Sequence, residues 1–141
     1  MDQDKIKNLK AFIQAEKDLG NKLEDSFLEP LTQDIETFKL LAGLIDSLDW
    51  QHVSQYYRLS EEFIKTFSDK VEWDYISRNQ KLSENFIREY QDRFCWKCIS
   101  KYQKLSEEFI VEFEDKIYWN IAFAHQKLSI TFRNKWKHRN V

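Results

Sequence analysis

The feature that most constrains this chain is an internal repeat of 23 residues. Leu-Ser pairs stand at 59–60, 82–83, 105–106 and 128–129, and Trp at 50, 73, 96 and 119. Phe63, Phe86, Phe109 and Phe132 keep the same step, as do Ile64, Ile87 and Ile110, and then Phe67, Tyr90, Phe113 and Trp136. A worn half-copy comes first, with Leu40, Leu41, Leu44, Asp46 and Leu48 at matching offsets before Trp50. Periods of this length belong to arrays whose units bury their apolar faces only against neighbours.

Within a unit, Leu59, Phe63, Ile64, Phe67 and Val71 follow helical spacing. Strands are not expected, because the apolar residues do not alternate and the chain holds only 2 Gly and 1 Pro. One continuous helix is excluded by arithmetic. At about 100° per residue, 23 residues advance about 2300°, roughly 140° past whole turns, so the Trp and Phe stripes would spiral around a rod. The chain must bend inside each unit. One bend is read at Ser60, Ser83, Ser106 and Ser129, N-caps ahead of the Phe-Ile helix. Glu61, Glu84 and Glu107 follow in its first turn, where the helix dipole favours negative charge. The second bend is expected at Asp69, Asp92 and Asp115, as N-caps of the short Trp-x-x-Ile helix, with Asp69 and Glu72 at capping-box spacing. Each helix is then about two to three turns long, too short to persist without stacking.

Upstream, Ile6, Leu9, Phe12, Ile13 and Glu16 fit an amphipathic helix ending near Gly20. Pro30 marks the expected start of a second, running through Ile35, Phe38, Leu41 and Leu44. The expected fold is all-α. A helical cap over residues 1–39 is followed by one continuous α-solenoid of about four 23-residue helix-pair repeats over 40–141.

The segment Ile-Ser-Lys-Tyr-Gln-Lys-Leu-Ser-Glu-Glu-Phe-Ile, residues 99–110, resembles the short helical repeats of uncharacterised proteins from giant DNA viruses and bacteriophages. The resemblance covers roughly residues 40–141. The last copy departs from it, with Ala122 and Phe123 in place of Ile-Ser, Ile130 in place of Glu and His138 in place of Asp, as terminal repeats do. The resemblance assigns no activity. What it implies is a phage or viral accessory protein that binds a host factor, in its sharpest form an anti-CRISPR inhibitor.

Composition removes other classes. With 16% aromatic and 42% apolar residues, the chain is neither collagen-like nor disordered. No apolar run approaches the about 20 residues of a membrane span. Met1-Asp2-Gln3-Asp4-Lys5 is not a basic-then-apolar leader, and two cysteines do not make a disulfide scaffold, so a cytoplasmic location is expected. Cys95-Trp96-Lys97-Cys98 could be a redox pair or half a zinc site. No second cysteine pair or suitably spaced His accompanies it, and Trp96 is simply the repeat's Trp, so a packing role is expected. His52, His125 and His138 lie in different registers with no catalytic set around them, and two glycines make no phosphate loop. The recurring carboxylates read as caps and surface charge. No catalytic residue, metal ligand or cofactor is expected.

The Trp and Phe ladders read as core. Tyr56, Asn79, Tyr102 and His125 share one register but vary in type, which suits an exposed row. Beside them runs a basic ladder, Arg58, Lys81, Lys104 and Lys127, and elsewhere a second, Lys70, Arg93, Lys116 and Arg139. The Glu61 and Asp69 series run alongside and could neutralise both. Charge is also uneven along the chain: net −2 in total, but +5 over residues 120–141, where Arg133, Lys135, Lys137 and Arg139 lie. The expected function is non-catalytic protein binding through the row and the first ladder, to a host or cellular protein with an acidic patch. The alternative is nucleic-acid binding by the basic ladders and basic C-terminus. No membrane is expected, and a homodimer through array ends stays open.

Overall fold

The computed structural model describes residues 3–45 and 48–140, so Asp46 of the half-copy lies outside the described residues. Every regular element among them is helical: eleven α-helices and one 3₁₀ turn. The chain forms two compact units, Met1–Val71 and Glu72–Val141.

In the first unit, α1 (Gln3–Asp18) buries Ile6 and Ile13. It ends as expected: Gly20 takes φ +72°, and its N–H and that of Asn21 close on the carbonyls of Lys17 and Glu16. The helix expected from Pro30 starts five residues later, as α3 (Ile35–Ala42), and Pro30 instead belongs to a separate helix not expected from the sequence, α2 (Asp25–Leu31). Pro30 lies inside α2, where it removes a backbone donor, and the helix stops one residue later. Asp34 then starts α3, its carboxylate accepting from the Thr37 N–H (3.2 Å) and hydroxyl (2.8 Å). This early cap also corrects the half-copy. Leu40, in the register of Phe63, is 54% exposed, while Phe38 and Leu41 are fully buried. Phe38 meets Phe63 edge-on at 5.0 Å and Phe67 at 5.2 Å, joining α3 to the first helix pair, α4 (Trp50–Tyr56) and α5 (Glu61–Thr66).

The second unit carries three more pairs: α6 (Trp73–Asn79) with α7 (Glu84–Glu89), α8 (Trp96–Tyr102) with α9 (Glu107–Glu112), and α10 (Trp119–His125) with α11 (Ile130–Trp136). A 3₁₀ turn, Lys137–Arg139, follows. Helix α8 packs between α6 and α10, so helix pairs recur and stack as in a small α-solenoid. The first bend falls where the serines place it. Ser83, Ser106 and Ser129 accept from the N–H groups of Phe86, Phe109 and Phe132 at 3.1–3.2 Å.

The second bend is displaced from the expected aspartates. The Trp helices start after Glu72, Cys95 and Tyr118, three residues later. Asp92 and Asp115 sit inside a turn closed from Arg93 N–H to Tyr90 O and from Lys116 N–H to Phe113 O, each 2.9 Å, and Asp69 sits in the same turn of the first unit. A hydroxyl of the preceding Trp helix fixes the start instead. Ser77 Oγ accepts from the Cys95 N–H (3.1 Å), and Ser100 Oγ from that of Tyr118 (3.0 Å).

The repeats are also joined by a buried glutamine ladder. Gln103 donates through Nε2 to the carbonyls of Ser77 (2.9 Å) and Gln80 (2.7 Å), and its Oε1 accepts from the Leu82 N–H (3.1 Å). Gln126 repeats this on Ser100, Gln103 and Leu105. The equivalent carbonyls of the last copy, Phe123 and Gln126, accept from the Arg133 guanidinium instead. The Phe ladder is core as read, whereas in the Trp ladder Trp119 is buried and Trp50, Trp73 and Trp96 are half-buried. Phe86, Phe109 and Phe132 are buried, and the Trp96 and Trp119 indole N–H groups bond inward to the carbonyls of Gln91 and Glu114.

Candidate interaction surface

Each Trp helix ends in one residue of the variable row, and the chain then runs extended through Gln-Lys-Leu. Neighbours in an extended stretch point to opposite sides. With Gln80, Gln103 and Gln126 turned inward, the following Lys81, Lys104 and Lys127 face solvent. In the second unit Asn79, Tyr102 and His125 are exposed as well. No hydrogen bond or ion pair engages the Asn79 or His125 side chain, or any of these three lysines, among the described residues. Tyr102 has the Lys101 ammonium over its ring at 5.0 Å. Because the backbone on both sides is pinned by the glutamine ladder, the row is held on a fixed frame. Tyr56 and Arg58 belong to the first unit. Tyr56 is 64% exposed, and the Arg58 side chain is exposed while its N–H donates to the Glu29 carboxylate at 3.0 Å.

The second basic ladder behaves differently. Lys116 pairs with Asp92 at 3.2 Å and Arg139 with Glu114 at 3.1 Å. Arg93, Lys116 and Arg139 also lie over Trp73, Trp96 and Trp119 at 5.0, 5.8 and 5.1 Å. The acidic neighbours are spent on the fold too, since Glu84 and Glu107 accept from the backbone N–H of Ser106 and Ser129, each at 2.6 Å. Within the second unit, carboxylates of the preceding repeat therefore engage Lys116 and Arg139 and leave Lys81, Lys104 and Lys127 solvated. In the basic tail, Arg133 and Arg139 are hydrogen-bonded, whereas Lys137 is exposed and Lys135, also exposed, lies over the Trp136 ring at 5.9 Å.

No protein-family model, curated protein or solved structure matches the chain.

Among the described residues no cluster of three or more His, Cys, Asp or Glu side chains is arranged to hold a metal ion. No helix among them is long and apolar enough to cross a membrane. One polar cluster lay outside the sequence reading. In the first unit Asp25 accepts from the Tyr57 hydroxyl (2.6 Å) and faces His52 Nε2 (2.9 Å), at the edge of a cavity of about 230 Å³ lined by Ile13, Leu28, Val53, Lys22 and Asp49 among others. The Tyr57 and His52 hydrogen bonds hold the Asp25 carboxyl below the usual range, while burial and Asp25 push the Tyr57 hydroxyl well above its own. The three groups are committed to one another and tie α2 to α4. Tyr57 occupies the register of Gln80, so a single break in the glutamine column was its only sequence signal. Asp25 lies outside the repeat and had none.

Proposed function

We propose that the second unit is a non-catalytic protein-binding module acting through Asn79, Lys81, Tyr102, Lys104, His125 and Lys127, on a partner that presents an acidic patch. The observation carrying this reading is the contrast between the two basic ladders. One is tied down by carboxylates and indoles, whereas Lys81, Lys104 and Lys127 are solvated, unpaired and set in register on a pinned backbone. Exposed rings and amphipathic stems beside them, above all Tyr102, supply the apolar contact that binding surfaces use. Tyr56 and Arg58 present the same residue types on the first unit. In the setting implied by the viral and phage repeat resemblance, the partner is a host protein in the host cytoplasm, with a CRISPR–Cas component the sharpest candidate, and inhibition is by occlusion.

Nucleic-acid binding has less support, because Trp119 is buried and the Arg93, Lys116 and Arg139 cations already lie over the Trp73, Trp96 and Trp119 rings that could stack on bases. The deciding experiment is affinity capture by tagged wild type and by the Tyr102→Ala/Lys104→Ala variant, with far-UV circular dichroism as the fold control. The double variant is expected to lose the captured protein at least tenfold at unchanged helicity. Equal capture removes this face from consideration. A bound oligonucleotide whose affinity falls steeply with salt favours the alternative.

A further inference from the structure

We propose that Cys95 and Cys98 form a reversible redox site, closing to an internal disulfide by exchange with a low-molecular-weight disulfide of the glutathione class. Cys95 is the N-cap of α8, with extended backbone (φ −77°, ψ 101°) that brings its sulfur over the first helical turn. There it lies 2.8 Å from the Cys98 sulfur and accepts from the Cys98 N–H at 3.4 Å. Both cysteines are free thiols, one half-exposed and the other buried. An accessible attacking thiol therefore sits beside a shielded resolving one.

The fold does not require this pair. The same two positions hold Asp49 and His52, Glu72 and Tyr75, or Tyr118 and Ile121 in the other copies, and in α6 and α10 the residue at the first position, Glu72 or Tyr118, makes no cap hydrogen bond with its own side chain. Sequence alone assigns the cysteines to packing, because spacing does not tell which sulfur is accessible or that the two meet. Burial and the Cys95 sulfur push the Cys98 thiol up, and the charge of the Arg78 guanidinium offsets only part of that rise.

The exchange runs in two steps. The Cys95 thiolate attacks one sulfur of the external disulfide, breaking its S–S bond and expelling a thiolate, and a mixed disulfide forms. The Cys98 thiolate then attacks the Cys95 sulfur, expelling the second external thiolate and forming the Cys95–Cys98 bond. Two protein thiols are oxidised and one external disulfide is reduced to two thiols, which take up the two protons released.

The test exposes the reduced chain to oxidised glutathione, quenches and alkylates with excess N-ethylmaleimide, and reads the intact mass. Wild type is expected to pass from two alkylatable thiols to none, as a monomer without a retained glutathione. Cys98→Ser is expected to hold one glutathione on Cys95, and Cys95→Ser to react at least tenfold more slowly. Two thiols that stay alkylatable, a glutathione that persists on wild type, or disulfide-linked dimers would each overturn the proposal. The wild-type measurement decides this even where a variant fails to fold.

Discussion

Gln103 and Tyr57 stand in the same column of the repeat, and each solves a local problem of buried polarity. Gln103 is 5% exposed and satisfies two carbonyls and one N–H of the preceding copy. Replacing it with Leu keeps the bulk but strands all three groups away from water. A loss on the order of 3 kcal/mol is expected in urea unfolding. Gln103→Glu should lose at least as much, because a carboxylate then faces two carbonyl oxygens. Tyr57 answers to Asp25 instead, and the sign of its pH dependence follows from the Asp25 shift. The folded state holds this carboxyl below its unfolded value, so the link contributes above about pH 4 and is lost as the pH falls through the folded-state value. The urea midpoint of wild type should therefore drop more between pH 6 and 3 than that of Asp25→Asn or Tyr57→Phe. Parallel curves for all three would show that the Asp25 carboxyl is not what the tyrosine hydroxyl holds.

At the scale of the helices, the serine caps and the turn aspartates make opposite predictions. Ser106 caps α9 and also donates to the Glu84 carboxylate (3.1 Å), so Ser106→Ala should cost about 1–2 kcal/mol in chemical denaturation. Asp115 is exposed inside a turn that the backbone closes without it, and Asp115→Ala should stay within about 0.5 kcal/mol. This pair also separates what is legible in the sequence from what is not. Period, helical spacing and the Ser caps are local, and they gave the all-α repeat and its first bend. The second bend is placed by hydroxyls of Ser77 and Ser100, 18 residues upstream of the N–H they receive, and no local propensity records that. Helix α2 was missed for a different reason. It has seven residues with Pro30 near its end, a pattern that resembles a helix start. The exposure of Asn79, Tyr102 and His125 was legible because a register that varies freely is seldom buried. Which basic ladder stays free was not, since partners such as Asp92 and Lys116 are 24 residues apart.

Across the repeats of the second unit, the two basic ladders divide cohesion from contact, and that division can be tested with two triple variants of equal charge change. Arg93, Lys116 and Arg139 each cover an indole, and Lys116 and Arg139 also pair with Asp92 and Glu114. A cation over a ring contributes about 0.5–1 kcal/mol at an exposed site and an exposed ion pair about 0.2–1. Changing all three to Ala should therefore lower unfolding stability by roughly 1–3 kcal/mol. Lys81, Lys104 and Lys127 touch nothing that the fold needs, and their triple Ala variant should unfold within about 0.5 kcal/mol of wild type. Binding should invert the order. The lysine triple variant loses the acidic partner at least tenfold, whereas the other, measured well below its unfolding midpoint, retains it. Urea unfolding followed by Trp fluorescence gives the first comparison and a titration with the captured partner the second. A lysine variant that weakens stability as much as the arginine-containing one would place both ladders in the fold and leave the second unit without its free charged face.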